Sequence, residues 1–564
     1  MKEAEPAAVE RLAREGKIPA PVAAILVNRG IVEPDDASRF LSPNLADIHD
    51  PFLLLGMDKA VSRLASALKN GESVCIYGDY DVDGITAVAL LIDFFLRIGL
   101  PCFYHIPLRL EEGYGLSADG IAAAAARGAR IIVSVDCGIT AMAEAELCSS
   151  LGIDLIITDH HLPGETIPQA FAVINPLQPG CPFPFKHLAG VGVAFNLMIA
   201  MRTRLREEGH FAARSEPNLR EYLDLVALGT VADIVPLVDE NRIFVKYGLS
   251  ELTSSRRTGI QALKEVAGVK EEVSCGAVGF RLAPRLNAAG RLEDAALGVE
   301  LLLCNERQKA NAMAAELDAG NTERQALEQA ILEDTLSMVK GNPHLRQRKS
   351  IVLASDAWHP GVIGIVASRI VDIFHRPTIL IALQDGNGRG SGRSIPRFHL
   401  HDALNACSGH LVKFGGHKYA AGLSIDQATL EAFVESFDEV ACGLLSPEDL
   451  IPELSIDAQL HPEEITLELA ETLALLAPFG MGNPEPVFML EGARVADLRV
   501  LKERHLKFRL EAGGQILEAI GFNMAEGREI PEMVTVAFSL QINEWNRRKS
   551  VQLRLRDFKP WETH

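Results

Sequence analysis

Three acidic residues occupy alternate positions in the segment YGDYDVDG at 77–84: Asp79, Asp81 and Asp83. In an extended segment their carboxylates point to one side, because side chains alternate along a strand. Carboxylates crowded in this way repel one another unless a cation neutralises them. An acidic surface turn is the simpler alternative, but the spacing favours a site for divalent metal ions.

The segment DHH places Asp159, His160 and His161 directly after an apolar run. Imidazole combined with carboxylate suits Mn²⁺, Fe²⁺ or Zn²⁺ better than Mg²⁺ alone. A histidine pair by itself is more often incidental. Here other acids follow neighbouring predicted strands, so the sequence predicts one shared metal site.

A pair of metal ions about 3.5 to 4 Å apart, bridged by a carboxylate, can activate water and stabilise both oxygens of an in-line displacement at phosphorus. Such a centre needs roughly five to seven hard ligands. The sequence supplies that number: Asp79, Asp81, Asp83, Asp136, His160, His161 and Asp233. The predicted reaction class is hydrolysis of phosphodiesters.

The elements that position these residues belong to an α/β fold. Short apolar runs at 74–77, 131–135 and 155–158 each end in an acid, and helical patterns at 85–97 and 142–151 follow the first two. This alternation predicts a parallel sheet, whose ligand site lies outside the carboxyl ends of the strands. A helical pattern at 219–228 leads to a Gly-to-Pro loop that is expected to carry Asp233.

Further units follow along the chain. Residues 306–340 predict a long connecting helix, a second α/β segment begins at Ile351, and alternating patterns after about 450 predict antiparallel strands in a small barrel. The length of 564 residues also favours several domains.

Composition restricts the function. The net charge of −20 argues against a protein that coats nucleic acid, so DNA contact requires a local basic groove. Nine cysteines without a CxxC pair indicate reduced thiols, not a disulfide frame or zinc ribbon. The first residues do not form a secretory signal, and Asp93, Arg97 and Pro101 interrupt the most apolar stretch. We therefore expect a cytoplasmic protein with no membrane role.

The motifs YGDYDVDG, VSVDCG, TDHH and ALGTVADIVPL, in this order, resemble those of the DHH phosphoesterase superfamily in its RecJ branch. The segments WHPGVIGIVASR, GSGRS and FGGHKYAAG resemble the accompanying DHHA1 domain. The resemblance implies two α/β domains around a central cleft and a C-terminal OB-like domain. The expected boundaries are 1–60 for an N-terminal helical region, 61–300 for the DHH catalytic domain, 301–340 for the connecting helix, 341–447 for DHHA1 and 448–564 for the OB-like nucleic-acid-binding domain.

The resemblance also implies an activity: removal of 5′-mononucleotides from single-stranded DNA in the 5′→3′ direction, during repair and recombination. Two Mn²⁺ ions are expected, with Mg²⁺ as substitute. Single-strand-binding protein and a recombination helicase are the expected partners, and the expected state is a monomer. The implied metal ligands are Asp81, Asp83, Asp136 (bridging), His160 and Asp233, with Asp79 as a further candidate. The implied catalytic residues are His161, which faces the scissile phosphate, Asp159 and Asp136.

Basic and small residues predict a track for nucleic-acid phosphates. His359 lies before a predicted helix, where free backbone N–H groups can bind a phosphate. Glycines between arginines in GRGSGRS are expected to allow close approach of an anion. An aromatic residue beside basic ones near position 545 suits stacking of bases. The candidate nucleic-acid contacts are Arg109, Arg281, Arg285, His359, Arg369, Ser391, Arg393, His417, Lys418 and Trp545.

Other functions have less support. DHH enzymes that act on oligoribonucleotides, cyclic dinucleotides or pyrophosphate are usually shorter than this chain. A non-catalytic replication scaffold with this fold would have replaced several acids that are intact here. The segment AGVGVAF at 189–195 lacks the third glycine of a dinucleotide fingerprint, which argues against an oxidoreductase.

Overall fold

The computed structural model describes residues 2, 4–108, 115–292, 294–525, 529–545 and 548–562, with the backbone alone for Arg291, Leu292 and Trp545. Within these ranges no helix is long and apolar enough to cross a bilayer. All nine cysteines are free thiols.

Three short helices open the chain, and each has a proline in its first turn: α1 (Pro6–Gly16), α2 (Ala20–Asn28) and α3 (Pro34–Leu41). Proline fits this position because the first N–H groups of a helix have no partner within it. Leu12 and Leu26 are buried in the same core as Phe488 and Leu506. The N-terminal helices therefore pack against the C-terminal part of the chain.

A parallel sheet forms the centre of the first α/β unit. It contains β1 (Val74–Tyr77), β2 (Cys102–His105), β3 (Ile131–Val135), β4 (Asp154–Thr158) and β5 (Ala172–Ile174). The strand order is β2-β1-β3-β4-β5, and every pair is parallel. The predicted sheet is confirmed. The carboxyl ends of β1, β3 and β4 lie side by side at one edge.

Helices surround this sheet and extend beyond it. They are α4 (Met57–Asn70), α5 (Val82–Ile98), α6 (Ala118–Ala126), α7 (Met142–Ser150), α8 (Gly190–Glu207), α9 (Leu223–Ala232), α10 (Asp239–Thr253), α11 (Thr258–Val266), α12 (Cys275–Ala277), α13 (Ala283–Leu292) and α14 (Ala296–Leu303).

The predicted Gly-to-Pro loop before Asp233 is wrong in part, because α9 continues through Gly229 and ends at Ala232. A Cβ atom at Gly229 would lie 2.4 Å from Thr86 Oγ1 on α5. The glycine thus allows the two helices to pack closely, and it does not break the helix.

The predicted connecting helix is confirmed as α15 (Arg307–Gly341), followed by the short α16 (Pro343–Gln347). Helix α15 contacts α11 and α13, and it also packs against the later helix at 363–374. The buried Glu328 forms ion pairs with Arg324 at 2.6 Å and with Arg369 at 2.8 Å. The helix is therefore joined to both α/β units.

A mixed sheet forms the second α/β unit, with α17 (Ile363–Phe374), α18 (Leu400–Ala406) and α19 (Leu430–Leu444) packed on it. Its strands are β6 (Ile351–Ser355), β7 (Thr378–Gln384), β8 (Asn387–Arg393), β9 (Lys413–Gly416) and β10 (Ala420–Asp426), in the order β6-β7-β8-β10-β9.

Residues 388–393 of the segment GRGSGRS lie on strand β8, where the structure gives the glycines a packing role in place of the expected close approach to an anion. Gly388, Gly390 and Gly392 face apolar neighbours, and a Cβ on any of them would come within 3 Å of a side chain such as Leu423. The alternating positions place Arg389, Ser391 and Arg393 on the other face of the strand.

A closed barrel forms the C-terminal part, as predicted. It is built from β11 (Ala458–Gln459), β12 (Phe488–Leu501), β13 (His505–Ala512), β14 (Gln515–Gly521), β15 (Met533–Trp545) and β16 (Arg548–Pro560), with α20 (Leu467–Ala474) beside it. Pairing of β12 with β15 closes the sheet. Most pairs are antiparallel, but β11 with β12 and β14 with β16 are parallel.

Candidate metal centre and phosphate-binding residues

The first acidic motif turns into a helix, and it does not continue as an extended strand. Asp81 caps α5, since its side chain accepts hydrogen bonds from the backbone N–H of Asp83 at 2.9 Å and Gly84 at 3.2 Å. Asp83 lies in the first helical turn, so the expectation of three carboxylates on an extended segment is wrong. The turn at the end of β1 nevertheless gathers Asp79, Asp81 and Asp83 near the ends of the neighbouring strands.

His160 is the residue around which the cluster is arranged. Its Nε2 atom lies 3.0 Å from Asp136 Oδ1, 3.6 Å from Asp233 Oδ2 and 4.0 Å from Asp83 Oδ2. Asp136 follows β3 with a φ of 61°, a left-handed conformation that an aspartate rarely adopts. Asp233 directly follows α9. Four separate elements therefore bring these side chains together.

Burial and mutual repulsion raise the pKa values of three acids in the cluster. Burial is the larger cause and the neighbouring carboxylates the smaller, and together they raise the pKa of Asp83 to about 7 and that of Asp233 to about 9. The pKa of Asp136 rises well above its usual range for the same reasons. Burial lowers the pKa of His160 to about 4, so its ring is neutral at pH 7 and able to bind a metal ion.

The donor atoms fit divalent cations. Three groups each have their ligand atoms within 4.8 Å of one another: Asp136 with His160 and His161, Asp83 with His160 and Asp233, and Asp79 with Asp81 and Asp136. Asp136 belongs to two of these groups, which is the arrangement that a bridging carboxylate needs. Among the described residues, the buried atoms His160 Nε2 and Asp233 Oδ2 have no hydrogen-bond partner. A cation would supply the missing interaction.

Asp159 has a different position from the other acids. Its carboxylate accepts hydrogen bonds from the backbone N–H of Ile139, His160 and His161, and it lies 2.8 Å from His161 Nδ1. Burial alone would raise the pKa of Asp159, but these contacts lower it. The same pair raises the pKa of His161 against the opposing effect of burial. Asp159 therefore orients His161, whose side chain is 40% exposed.

One support of the metal centre was missed by the sequence analysis. The backbone N–H groups of Gly190 and Val191, at the start of α8, donate to the two oxygens of Asp83 at 2.6 and 2.8 Å. A helix N-terminus stabilises a carboxylate in this way. The segment AGVGVAF that fails as a dinucleotide fingerprint thus has a role in holding Asp83. The signal available in the sequence was the pair of glycines at the start of this helix, where backbone N–H groups are free to bind an anion.

Among the residues of the predicted phosphate track in the second α/β unit, Arg393 has surroundings that suit a phosphate ligand. Arg393 donates to Ser391 Oγ at 3.2 Å and to the Gly392 carbonyl at 2.7 Å. Burial lowers the pKa of this guanidinium, and no carboxylate pairs with it in the described ranges. Gly364, in the first turn of α17, leaves room beside both side chains. An arginine without an acidic partner next to a helix start is a suitable phosphate ligand.

The other residues of the predicted track have varied surroundings. Nδ1 of His359 accepts a hydrogen bond from Gly361 N at 3.1 Å, just before α17. Arg369 lies on α17 and is paired with Glu328. His417 is exposed, and the Lys418 ammonium lies 5.2 Å from the Tyr419 ring. These residues stay predicted contacts, although the ion pair of Arg369 already gives it a structural role.

Two of the predicted arginines already have partners in neighbouring segments of the chain. Arg281 donates to the Ala267 carbonyl, and Arg285 pairs with Asp318 on α15 at 2.8 Å. Arg109 and the side chain of Trp545 lie outside the described residues. The backbone of Trp545 is paired with Arg548 at the end of the hairpin formed by β15 and β16.

Comparison with known proteins agrees with this arrangement. Residues 73–230 match the DHH family N-terminal domain, residues 347–442 the DHHA1 domain and residues 456–557 the RecJ OB domain. The chain is 44% identical to the single-stranded-DNA-specific exonuclease RecJ of Escherichia coli, and the match covers 89% of each protein. The chain belongs to the RecJ family.

Other RecJ proteins confirm this assignment. The RecJ exonuclease of Bacillus subtilis is 38% identical, with 95% of this chain and 67% of the relative covered. A crystal structure of Thermus thermophilus RecJ in complex with Mn²⁺ superposes with a TM-score of 0.84 and 33% identity, covering 100% of this chain and 79% of that one. A second structure of the same RecJ contains Mg²⁺. The predicted fold class and family are thus confirmed.

Proposed function

We propose that the protein is a single-stranded-DNA-specific exonuclease that hydrolyses phosphodiester bonds with two divalent cations. The observation that carries this proposal is the buried cluster in which Asp136 belongs to two candidate ligand groups. Mn²⁺ is the proposed cofactor and Mg²⁺ its substitute, in line with the two metal complexes of Thermus thermophilus RecJ.

The roles of the side chains follow from their positions. The proposed ligands are Asp79, Asp81, Asp83, Asp136, His160 and Asp233. Bound cations would activate a water molecule and neutralise the charge that develops on the phosphate. His161, which Asp159 orients, is exposed beside the cluster and is placed to donate a hydrogen bond to the scissile phosphate. Its raised pKa favours the protonated ring that this contact requires.

Arg393 and Ser391 are the proposed ligands of a backbone phosphate of the DNA strand. A guanidinium that is desolvated and lacks an acidic partner gains more from a phosphate than an exposed, paired arginine does. The direction of hydrolysis, 5′→3′, and the release of 5′-mononucleotides are part of the proposal by analogy with the family.

The proposal also includes the setting of the reaction. The protein would act in the cytoplasm, as a monomer, in DNA repair and recombination. Single-strand-binding protein and a recombination helicase are the proposed partners. The units 1–60, 61–300, 301–340, 341–447 and 448–564 remain the proposed domain division.

The decisive experiment follows mononucleotide release from single-stranded DNA labelled at the 5′ or the 3′ end, in Mn²⁺, with blunt duplex DNA and the variant Asp136→Ala as controls. Early release of the 5′ label, with no release from duplex or by the variant, supports the proposal. Absence of DNA cleavage by a protein that binds Mn²⁺ would favour a phosphoesterase of small nucleotides. Failure to bind Mn²⁺ would favour a non-catalytic scaffold.

A further inference from the structure

The loop that follows the proposed metal ligand Asp233 packs against the C-terminal part of the chain. Leu237 N donates to the Met481 carbonyl at 2.7 Å. A Cβ atom added at Gly480 would lie 2.7 Å from Leu237 Cδ1, and one at Gly482 would lie 2.9 Å from Pro236 Cβ. We call residues 475–484 the buttress. It packs directly against residues 236 and 237, a few positions from the metal ligand.

Arg242, on helix α10, connects this helix to the buttress by hydrogen bonds. Its guanidinium donates to the carbonyls of Leu476 at 2.7 Å, Leu475 at 2.9 Å and Phe40 at 3.0 Å. The side chain is 1% exposed, and burial lowers its pKa to about 10. Buried backbone carbonyls beyond the ends of helices need such donors. One residue therefore joins the catalytic unit, the N-terminal helices and the buttress.

Asn241 connects the buttressed loop to a second metal ligand. Its fully buried amide donates to the Pro236 carbonyl at 3.0 Å and to the His187 carbonyl at 2.5 Å. The chain runs from His187 into Gly190, whose N–H group binds Asp83. A displacement of Pro236 would therefore affect the segments that position both Asp233 and Asp83.

The buttress is itself held in one conformation. The Asn483 amide donates to the carbonyls of Leu476 at 2.9 Å and Pro478 at 2.7 Å. Arg29, which directly follows helix α2, donates to the Asn483 side chain and to the Pro484 carbonyl. These bonds give the buttress a defined shape against which the loop after Asp233 can rest.

Support from outside is needed because the loop begins with an unfavourable backbone. Ile234, directly after Asp233, has a φ of 62°. A β-branched residue in the left-handed region is strained, and such conformations persist only where the surroundings fix them. Ile234 is 66% exposed, so its own side chain contributes little packing. The contacts at Pro236, Leu237 and Asn241 are those that hold this loop.

We propose that the buttress is a positioning element for the metal centre, so that the C-terminal part of the chain sets the cation affinity of the catalytic unit. It acts through Pro236 and Leu237 on Asp233, and through Asn241 on the segment that orients Asp83. The inference rests on the proposed function only in assuming that this cluster binds Mn²⁺. When the groups that orient metal ligands are removed, the metal affinity typically falls by about 10- to 100-fold.

The test compares two glycine variants. Gly482 has a φ of 69°, and a Cβ there presses on Pro236; Gly514 has a φ of 76° in the turn between β13 and β14, and a Cβ there has nothing within 4 Å. Both Gly482→Ala and Gly514→Ala thus carry the strain of a left-handed alanine, but only the first pushes on the metal-ligand loop. Mn²⁺ affinity is measured without DNA, from electron paramagnetic resonance of free Mn²⁺.

We expect Gly482→Ala to weaken Mn²⁺ binding by about 10-fold or more, and Gly514→Ala to bind like the wild type. High Mn²⁺ concentrations should restore the exonuclease activity of Gly482→Ala, while its affinity for single-stranded DNA in EDTA should match that of the wild type. A folded Gly482→Ala with wild-type Mn²⁺ affinity would overturn the proposal. So would a loss of exonuclease activity that excess Mn²⁺ does not restore.

If Gly482→Ala does not fold, Arg29→Met provides the second variant, because Arg29 reaches the buttress from the N-terminal region, which contains no proposed metal ligand. The expected result is weaker Mn²⁺ binding that Arg29→Lys partly restores. Wild-type Mn²⁺ affinity in Arg29→Met would count against the proposal. A wild-type protein that binds Mn²⁺ but does not cleave DNA would refute the proposed function alone.

Discussion

The Nε2 atom of His160 lies 3.0 Å from Oδ1 of Asp136, although the two residues follow different strands of the first sheet. Burial keeps the imidazole neutral at pH 7 and raises the pKa of the carboxyl. In the absence of a cation, the buried charge of Asp136 is thus unfavourable, and Asp83 and Asp233 add to the repulsion. Such a cluster keeps metal ligands in position, but it lowers the free energy of unfolding of the metal-free protein.

The variant Asp136→Asn should therefore separate stability from activity. In EDTA its free energy of unfolding should exceed that of the wild type by about 1 kcal/mol, because the variant removes the cost of either ionising or protonating this buried carboxyl. Exonuclease activity should fall by at least roughly 100-fold, since the residue is a proposed bridging ligand. Thermal unfolding with and without Mn²⁺ provides the measurement. For the wild type, Mn²⁺ at about 100 times its Kd should add about 2.7 kcal/mol.

Asp119→Asn is the matched control for this variant, because Asp119 is exposed in the first turn of α6. It should leave both the stability in EDTA and the gain from Mn²⁺ unchanged within about 0.5 kcal/mol. An Asp136→Asn protein that Mn²⁺ stabilises as strongly as the wild type would exclude the bridging role.

Arg393 and Arg369 should respond differently to substitution, although both were predicted to bind nucleic acid. Arg393→Met should weaken binding of single-stranded DNA by about 10-fold, because the loss of a charge-assisted hydrogen bond to phosphate is worth about 1.5 kcal/mol or more. Arg369→Met should change it by less than about twofold, since Glu328 already pairs with that arginine. Fluorescence anisotropy at several salt concentrations measures both. Equal losses in the two variants would contradict this distinction.

Glu240 predicts a pH-dependent stability away from the metal centre. Burial raises its pKa to about 7, although His49 N and Asn196 donate to its carboxylate. A raised pKa in the folded state means that the contribution to stability is present below the unfolded pKa and is lost as pH rises through about 7. Glu240→Gln should be close to neutral at pH 5 and more stable than the wild type at pH 8.5, by on the order of 1–3 kcal/mol.

Urea unfolding of both proteins across this pH range, in EDTA, tests the difference. The acids of the metal centre titrate in both proteins, so their effect cancels. A difference in stability that does not grow with pH would show that Glu240 is already ionised at pH 5.

The sequence predicted the sheet and the metal cluster because both depend on local patterns. Apolar runs that end in an acid define strands and the edge where ligands gather, so the convergence of Asp136 and His160 could be predicted without coordinates. The geometry of Asp81 and Asp83 could not, because alternate spacing is compatible with a strand and also with a capped helix start. The structure decides this through the bonds of Asp81 to the backbone N–H groups of residues 83 and 84.

Long-range contacts account for the rest. The sequence around Arg242 contains no sign that its partners are the carbonyls of residues 40, 475 and 476. In the same way, glycines alternating with arginines in GRGSGRS suggested close approach of an anion, whereas the glycines contact apolar side chains of the second α/β unit. Packing against elements distant in sequence determines these features, and a pattern read along one segment does not contain them.

The connecting helix offers a last prediction, based on the buried carboxylate of Glu328. It accepts from Arg324 at 2.6 Å on the same helix and from Arg369 at 2.8 Å on α17, so it neutralises two arginines at the contact with the second α/β unit. Glu328→Gln should lower the free energy of unfolding by about 3 kcal/mol, because the guanidinium of Arg324 stays buried without its charge partner. Glu333→Gln, an exposed substitution on the same helix, should change it by less than about 0.5 kcal/mol. Adding Arg324→Met to Glu328→Gln should recover part of the loss, since it removes the buried charge. If the double variant is no more stable than Glu328→Gln, the loss comes from packing and not from the unpaired arginine.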